Sequence, residues 1–257
     1  MARIVVDHIH VRYPILQDQY RSMRRAIMRT LSGGKLYKKD THMEVVHALH
    51  GVSFTLENGD RLGLIGRNGA GKSTLLKTLG GFILPESGDL NVTGNITSLF
   101  SVAGGMDDER TGYDNIFLTG RLLGISRAEM MKHLPDIEEF SELGEFLSVP
   151  VRAYSDGMKI RLGFAVCTCL TPDILLLDEA IGAGDAHFVE KASKRAQKLY
   201  DRSSIMVIAS HAPEIITSLC NKVMWLDHGR VMMIGPVNEV MNAYMKTNSD
   251  DALVGAA

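Results

Sequence analysis

The chain has 257 residues, a formal net charge of −2, and 45% hydrophobic against 23% charged residues. That is enough for one large domain or two small ones with ample core, in the composition of an ordinary globular protein. The slightly negative charge argues against bulk nucleic-acid binding, no apolar run approaches the roughly 18 residues that suggest a membrane span, and the first residues, MARIVVDHIHVRYP, lack a signal-peptide core. The three cysteines, Cys167, Cys169 and Cys220, form no framework and predict reduced, buried thiols rather than a zinc site.

Residues 3–12, RIVVDHIHVR, alternate like a strand. Residues 14–46 form a basic insertion that SGGK divides, and its first half predicts a short helix with Arg21, Arg25 and Arg29 on one face. From ALHGVSFTLENGDRLGLIG the pattern is strand, NGD turn, strand. Asn68 to Gly71 reads as loop and Lys72 to Leu79 as helix; residues 88–102 predict further strands. Thr111 to about Leu147 is helical in pattern, with Gly124, Pro135 and Gly144 as expected breaks, and residues 157–170 form another helix. This stretch, about 111–170, predicts a helical subdomain. DILLLDEA and SSIMVIASH are apolar strands separated by a helix, and residues 247–257 read as a disordered tail. Strands alternating with helices predict an α/β fold whose parallel sheet is covered on both faces and binds ligands at the carboxyl ends of its strands.

That edge is where the glycine-rich turn GLIGRNGAGKSTLL falls. Gly66, Gly71, Lys72 and Ser73 match G-x-x-x-x-G-K-[ST] after a predicted strand and at the start of a predicted helix. Glycines let successive N–H groups converge, and the helix adds its positive end, so the turn is a phosphate cradle. Asn68 and Gly69 belong to the loop and Thr74 to the first helical turn, while Lys72 is placed to reach terminal phosphates and the Ser73 hydroxyl to join Mg²⁺.

A cradle alone serves a kinase, a GTPase or an ATPase. The apolar strand ending in Asp178 and Glu179 narrows the choice: Asp178 suits a Mg²⁺ ligand, and Glu179 a general base acting on water. A small-molecule kinase would leave that pair without work. In AYSDGMKIRLGFA, Ser155, Asp156 and Gly157 precede an amphipathic helix and offer a second set of donors, and His211 stands just past the strand MVIAS.

The order of these features resembles the nucleotide-binding subunits of ABC transporters, over about residues 3–246. The YSDGMKIRLGF form of the signature, the run Gly184, Asp185, Ala186, Phe188 and Lys191, and the stretch from Ala103 to Ile116 resemble the branch that exports bacterial capsule, O-antigen and related polysaccharides. The resemblance implies a P-loop ABC ATPase core over residues 1–246, with a helical subdomain and an antiparallel β subdomain. It also implies an ATP- and Mg²⁺-dependent ATPase on the cytoplasmic face of the cell membrane, docked on an integral membrane permease. Two copies would sandwich two ATP molecules, each bound by one copy's phosphate loop and the other's Ser155 and Gly157. His211 would touch the terminal phosphate, Asp185 would sit in the loop crossing between copies, and Tyr13 would stack on adenine. Two departures stand out. Asp156 replaces the first glycine of the usual signature, and the glutamine that meets Mg²⁺ in most members is missing, with Asp107 or Ser101 as stand-ins. The alternatives are an ABC transporter ATPase for another substrate, such as an importer or a drug exporter, and a non-transport ABC ATPase; the latter usually carry coiled-coil insertions or paired cassettes. The chain ends soon after Tyr244, so no C-terminal glycan-binding domain is expected.

Overall fold

The computed structural model describes residues 1–14, 45–99, 105–178 and 186–254. In chain order the strands are β1 (Arg3–Pro14), β2 (Val45–Glu57), β3 (Arg61–Ile65), β4 (Ser87–Thr93), β5 (Ile96–Ser98), β6 (Ile174–Asp178), β7 (Ile205–Ala209), β8 (Lys222–Asp227) and β9 (Arg230–Pro236). The helices are α1 (Lys72–Leu79), α2 (Gly112–Leu122), α3 (Arg127–Ser141), α4 (Asp156–Thr168), α5 (Ala186–Arg202), α6 (Pro213–Leu219) and α7 (Val237–Val254). Most of the basic insertion, including Arg21, Arg25 and Arg29, lies outside the described residues.

Six strands form one sheet in the order β5-β6-β7-β3-β8-β9, parallel except for the β8–β9 pair. Alternate residues of its central strands enter two different cores. Leu175 and Leu177 of β6 and Met206 and Ile208 of β7 face the helical layer of α4 and α5. Ile174, Leu176, Ile205, Val207 and Ala209 face α1 and the second sheet. Burial on both faces explains why these strands read as continuous apolar runs.

The second sheet is antiparallel, in the order β2-β1-β4. β2 and β3 therefore part at the NGD turn into different sheets, although the sequence pattern shows only strand, turn, strand. At the turn Gly59 takes φ 91° and the Asp60 N–H donates to the Glu57 carbonyl at 3.0 Å.

Two expectations need correction. Pro135 does not break the helical stretch; it lies within α3. Proline lacks an N–H and removes one helical hydrogen bond, but Met130, Ile137 and Phe140 are buried on either side of it and hold the helix through the defect. The segment 247–257 does not start as disorder either, because α7 keeps helical backbone to Val254. Extending an existing helix costs far less than nucleating one.

Candidate functional site

Register assembles the site. Leu64 of β3 and Asp178 of β6 both pair with Ala209 of β7, so three neighbouring strands reach the carboxyl edge of the sheet at one level. The glycine-rich loop leaves β3 there, Asp178 ends β6, and Ser210 and His211 follow β7. A cavity of about 390 Å³ opens at this edge. Asn68, Gly69, Gly71, Lys72, Ser73 and Thr74 line one side of it. Asp178 and His211 border it from the neighbouring strands, and Tyr13 from the antiparallel sheet. The Tyr13 hydroxyl reaches Thr74 Oγ1 at 3.4 Å, which closes the ring of residues between the two sheets.

The loop has its shape because two positions admit only glycine. Gly66 has φ 142°, and a Cβ there would lie 2.1 Å from the Leu226 carbonyl oxygen. Gly71 has φ 106°, and its Cβ would lie 2.8 Å from the Ala48 carbonyl oxygen. Gly66 is thus a backbone requirement behind the cavity rather than part of its lining. The buried Lys72 turns back over the loop, where Nζ donates to the carbonyls of Gly66 at 2.7 Å and Arg67 at 3.2 Å.

Helix starts differ in an informative way. Thr111, Ser126 and Ser155 cap α2, α3 and α4 by accepting from the N–H of Asp114, Glu129 and Met158. Gly71, at the start of α1, supplies no side-chain cap. The first turn of α1, with its partial positive charge, therefore faces the cavity with no capping side chain at Gly71. Lys72 adds a full charge, so the site suits a multiply charged anion.

Ser155 and Gly157 lie at the start of α4, away from this cavity. The Ser155 hydroxyl accepts from Met158 N at 3.3 Å and keeps its own proton to donate. A Cβ at Gly157 would meet only Ser155 Oγ, at 3.8 Å. Asp107 is also off the cavity: its carboxylate accepts from Arg110 Nε at 2.9 Å and from the Glu109 N–H at 3.1 Å. Glu179, Asp185 and Ser101 lie outside the described residues.

Sequence reasoning missed Val46, His47 and Ala48 of β2, and Ala70, Ala209 and Ser210, all of which line the cavity. The β2 residues carry no local signal, since only the pairing of Tyr13 with Val46 and of Arg12 with His47 brings them to the rim. Ser210 was within reach through its neighbour His211; it is buried and accepts from the Ala212 N–H at 3.1 Å. The cysteines stand apart from the site. Burial pushes the Cys167 and Cys220 thiols up to about 12 and Cys169 to about 11, so they stay protonated and unreactive at neutral pH.

Comparison with known proteins gives this geometry a family. Residues 49–182 match the family described as ABC transporter. The chain is 44% identical over 231 residues to the O-antigen export system ATP-binding protein RfbE of Yersinia enterocolitica, covering 90% of this chain and 97% of that protein. It is 37% identical to the O-antigen export system ATP-binding protein RfbB of Myxococcus xanthus, over 91% of this chain and 53% of that one. The teichoic acids export ATP-binding protein TagH of Listeria innocua is 34% identical, over 94% of this chain and 69% of that protein. Among solved structures, an ATP-binding subunit of an ABC transporter shares the fold with a TM-score of 0.66 at 20% identity, covering 94% of this chain and 92% of that chain. A dimeric ATP-binding cassette in a post-hydrolysis state with ADP and Pi aligns with a TM-score of 0.63 at 19% identity, over 91% of this chain and 98% of that one. Among the described residues no helix is long and apolar enough to cross a membrane. With the loop, the strand-end carboxylate and the family match over half its length, the chain belongs to the ABC transporter family.

Proposed function

We propose that this chain is the ATP-hydrolysing subunit of a polysaccharide exporter, driving a lipid-linked or cell-surface glycan through a separate membrane permease. The observation that carries the ATPase reading is the convergence of Lys72, Ser73, Thr74, Asp178 and His211 on one cavity at the carboxyl edge of the parallel sheet. The loop and the first turn of α1 receive the phosphates, and Lys72 moves from the loop carbonyls to the terminal phosphate oxygens. Tyr13 stacks on the adenine at the antiparallel rim. The hard oxygen donors at the cavity, the Ser73 hydroxyl and the Asp178 carboxylate, fit Mg²⁺, which would neutralise phosphate charge when bound. Glu179 takes a proton from the attacking water, and His211 holds the terminal phosphate.

The position of Ser155 and Gly157 away from the cavity supports a site shared by two copies. Among the described residues a Cβ on Gly157 would meet only Ser155 Oγ, at an ordinary 3.8 Å, and the Ser155 proton has a donor role left to fill. A second copy presenting α4 to the phosphates would use both. The glycan substrate and the permease rest on the printed functions of the O-antigen and teichoic acid export relatives.

The test is phosphate release from Mg-ATP by the isolated chain, with no phosphoryl acceptor present. Glu179→Gln is expected to keep ATP binding, nearly stop turnover, and accumulate as an ATP-bound dimer in light scattering. Turnover that persists in a monomeric Glu179→Gln protein would remove both the base assignment and the shared site. Loss of surface glycan when the chain is deleted, restored by wild type and not by Glu179→Gln, tests the export reading.

A further inference from the structure

A second cleft, of about 400 Å³, lies between α5, α3 and the end of α4. Among the described residues its lining sets Lys191, Lys194, Arg195, Lys198 and Arg202 of α5 against one carboxylate, Asp136. Thr171 and Arg202, both in this lining, stand three residues before β6 and β7. The far ends of those strands, Asp178 and Ala209, border the phosphate-loop cavity. The two openings therefore lie at opposite edges of the sheet.

The contacts of two cations show where the row on α5 points. Lys191 Nζ reaches α3, where it donates to the carbonyls of Glu139 at 3.1 Å and Phe140 at 3.2 Å and pairs with Glu142 at 2.6 Å. The Arg195 guanidinium lies over the Phe140 ring, 4.3 Å from its centroid. Its two Nη atoms donate to the Asp136 carboxylate, and Nε donates to the Thr168 carbonyl at 3.4 Å. At 3.6 residues per turn, Lys198 and Arg202 fall within about 20° of Lys191 around the helix, so they continue this row along the cleft.

Lys191 and Arg195 are engaged in joining α5 to α3 and α4. Lys198 and Arg202 are exposed, and among the described residues neither has a hydrogen-bond or ion-pair partner. Asp201, three residues beyond Lys198, accepts from Gln197 Nε2 at 3.1 Å instead. Lys194, a turn before Lys198, pairs only with the equally exposed Glu190, a contact that water and salt weaken. Like charges four residues apart disfavour a helix, and Lys194, Lys198 and Arg202 make two such pairs in succession. The partial negative charge of the helix end accounts for Arg202 in the last turn, but Lys198 lies a turn earlier.

We infer that Lys198 and Arg202 form a binding site for a small phosphate-bearing anion, with Lys194 as a third cation at its rim. The site is independent of the nucleotide reading. An ammonium and a guanidinium about 6 Å apart along the helix suit neighbouring groups of an oligophosphate. Walls from α3 and from the segment between α4 and β6 make the site a cleft, which fits a small solute rather than a flat lipid surface.

Inorganic tripolyphosphate is the probe, and Lys72→Ala separates the cleft from the phosphate loop. Calorimetry on the full chain compares wild type, Lys72→Ala, the pair Lys198→Ala with Arg202→Ala, and all three together. Lys72→Ala is expected to keep one equivalent of tripolyphosphate, and adding the pair to weaken it about tenfold or more, as charge-assisted hydrogen bonds are lost. The pair alone should leave ATP affinity as in wild type. Both positions are exposed on a helix and alanine is the best helix former, so the fold is kept, which an unchanged melting temperature checks. The pair Lys198→Gln with Arg202→Gln, which keeps side-chain bulk, must reproduce the loss. Loss of all tripolyphosphate binding in Lys72→Ala overturns the inference, and so does unchanged affinity when the pair is added. Sedimentation with phosphatidylglycerol vesicles that depends on Lys198 and Arg202, without tripolyphosphate binding, also overturns it, because the row would then be a membrane contact.

Discussion

The glycines at the starts of α1 and α4 stand there for opposite reasons. Ahead of α1, Gly66 and Gly71 are imposed from within: both have positive φ, and a Cβ at either would run into a backbone carbonyl of the same chain. At α4, no described residue forces Gly157, since a Cβ there would make only an ordinary 3.8 Å contact with Ser155 Oγ. Glycine in a helix costs about 0.5–1 kcal/mol relative to alanine, so an unforced one needs another cause. The first start is a pocket finished by its own fold. Under the proposed shared site, the second is a surface that nucleotide held by a second copy would meet.

The largest effect should come from the forced side. Gly66→Ala places a methyl 2.1 Å from the Leu226 carbonyl oxygen, so β3 or the β8–β9 corner must shift. A stability loss of roughly 3 kcal/mol or more is expected, together with loss of nucleotide binding. Thermal unfolding and ATP titration check this. A normal melting temperature would show that the loop is less constrained than its geometry implies. Gly69→Ala is the internal control: φ is 82° but the space is open, so only strain of about 1–2 kcal/mol is expected.

Next comes Lys72→Ala, which removes the charge over the loop without touching its backbone. Charge-assisted hydrogen bonds to phosphate are worth about 1.5–3 kcal/mol each, so ATP affinity should fall about ten- to hundredfold. Equilibrium titration reads it, and affinity within twofold of wild type would remove the phosphate assignment.

At α4 the expected changes are smaller, and those in stability have opposite signs. Ser155→Ala loses the cap on Met158 N and should cost about 0.5–2 kcal/mol of stability. Gly157→Ala should raise stability by about 0.5–1 kcal/mol, because the fold has room for the methyl. Both should lower ATPase activity while leaving ATP binding to the monomer intact. A more stable, fully active Gly157→Ala protein would show that α4 is an ordinary helix start and would remove the contrast between the two.

Much of the phosphate-loop side of the candidate site was legible before any fold was known. Positions 66 to 74 lie within one strand–turn–helix corner, where conformation depends on neighbours in the chain. Asp178 and His211 were found because each follows an apolar run, and in a parallel sheet the ends of such runs share an edge. The rim formed by the antiparallel sheet was only partly legible. Tyr13 entered through the family resemblance, whereas Val46 and His47 had no signal, because their placement depends on pairing across an insertion of some thirty residues. Pro135 misled because proline's local cost is certain, but the packing of Met130, Ile137 and Phe140 that outweighs it is not visible in the sequence.

The sequence by itself therefore determined the backbone chemistry of the glycine-rich loop, the strand-end carboxylate and the continuous apolar runs of a buried parallel sheet, since each depends on residues a few positions apart. Tertiary structure decided the rest: that β3 lies between β7 and β8, that β2 leaves β3 for a second sheet, and that this sheet brings Tyr13 and His47 to the cavity. It also decided that Ser155 and Gly157, at the start of α4, do not line the cavity of their own chain. These outcomes depend on which apolar faces bury against which, a competition among distant segments whose result no short stretch of sequence contains.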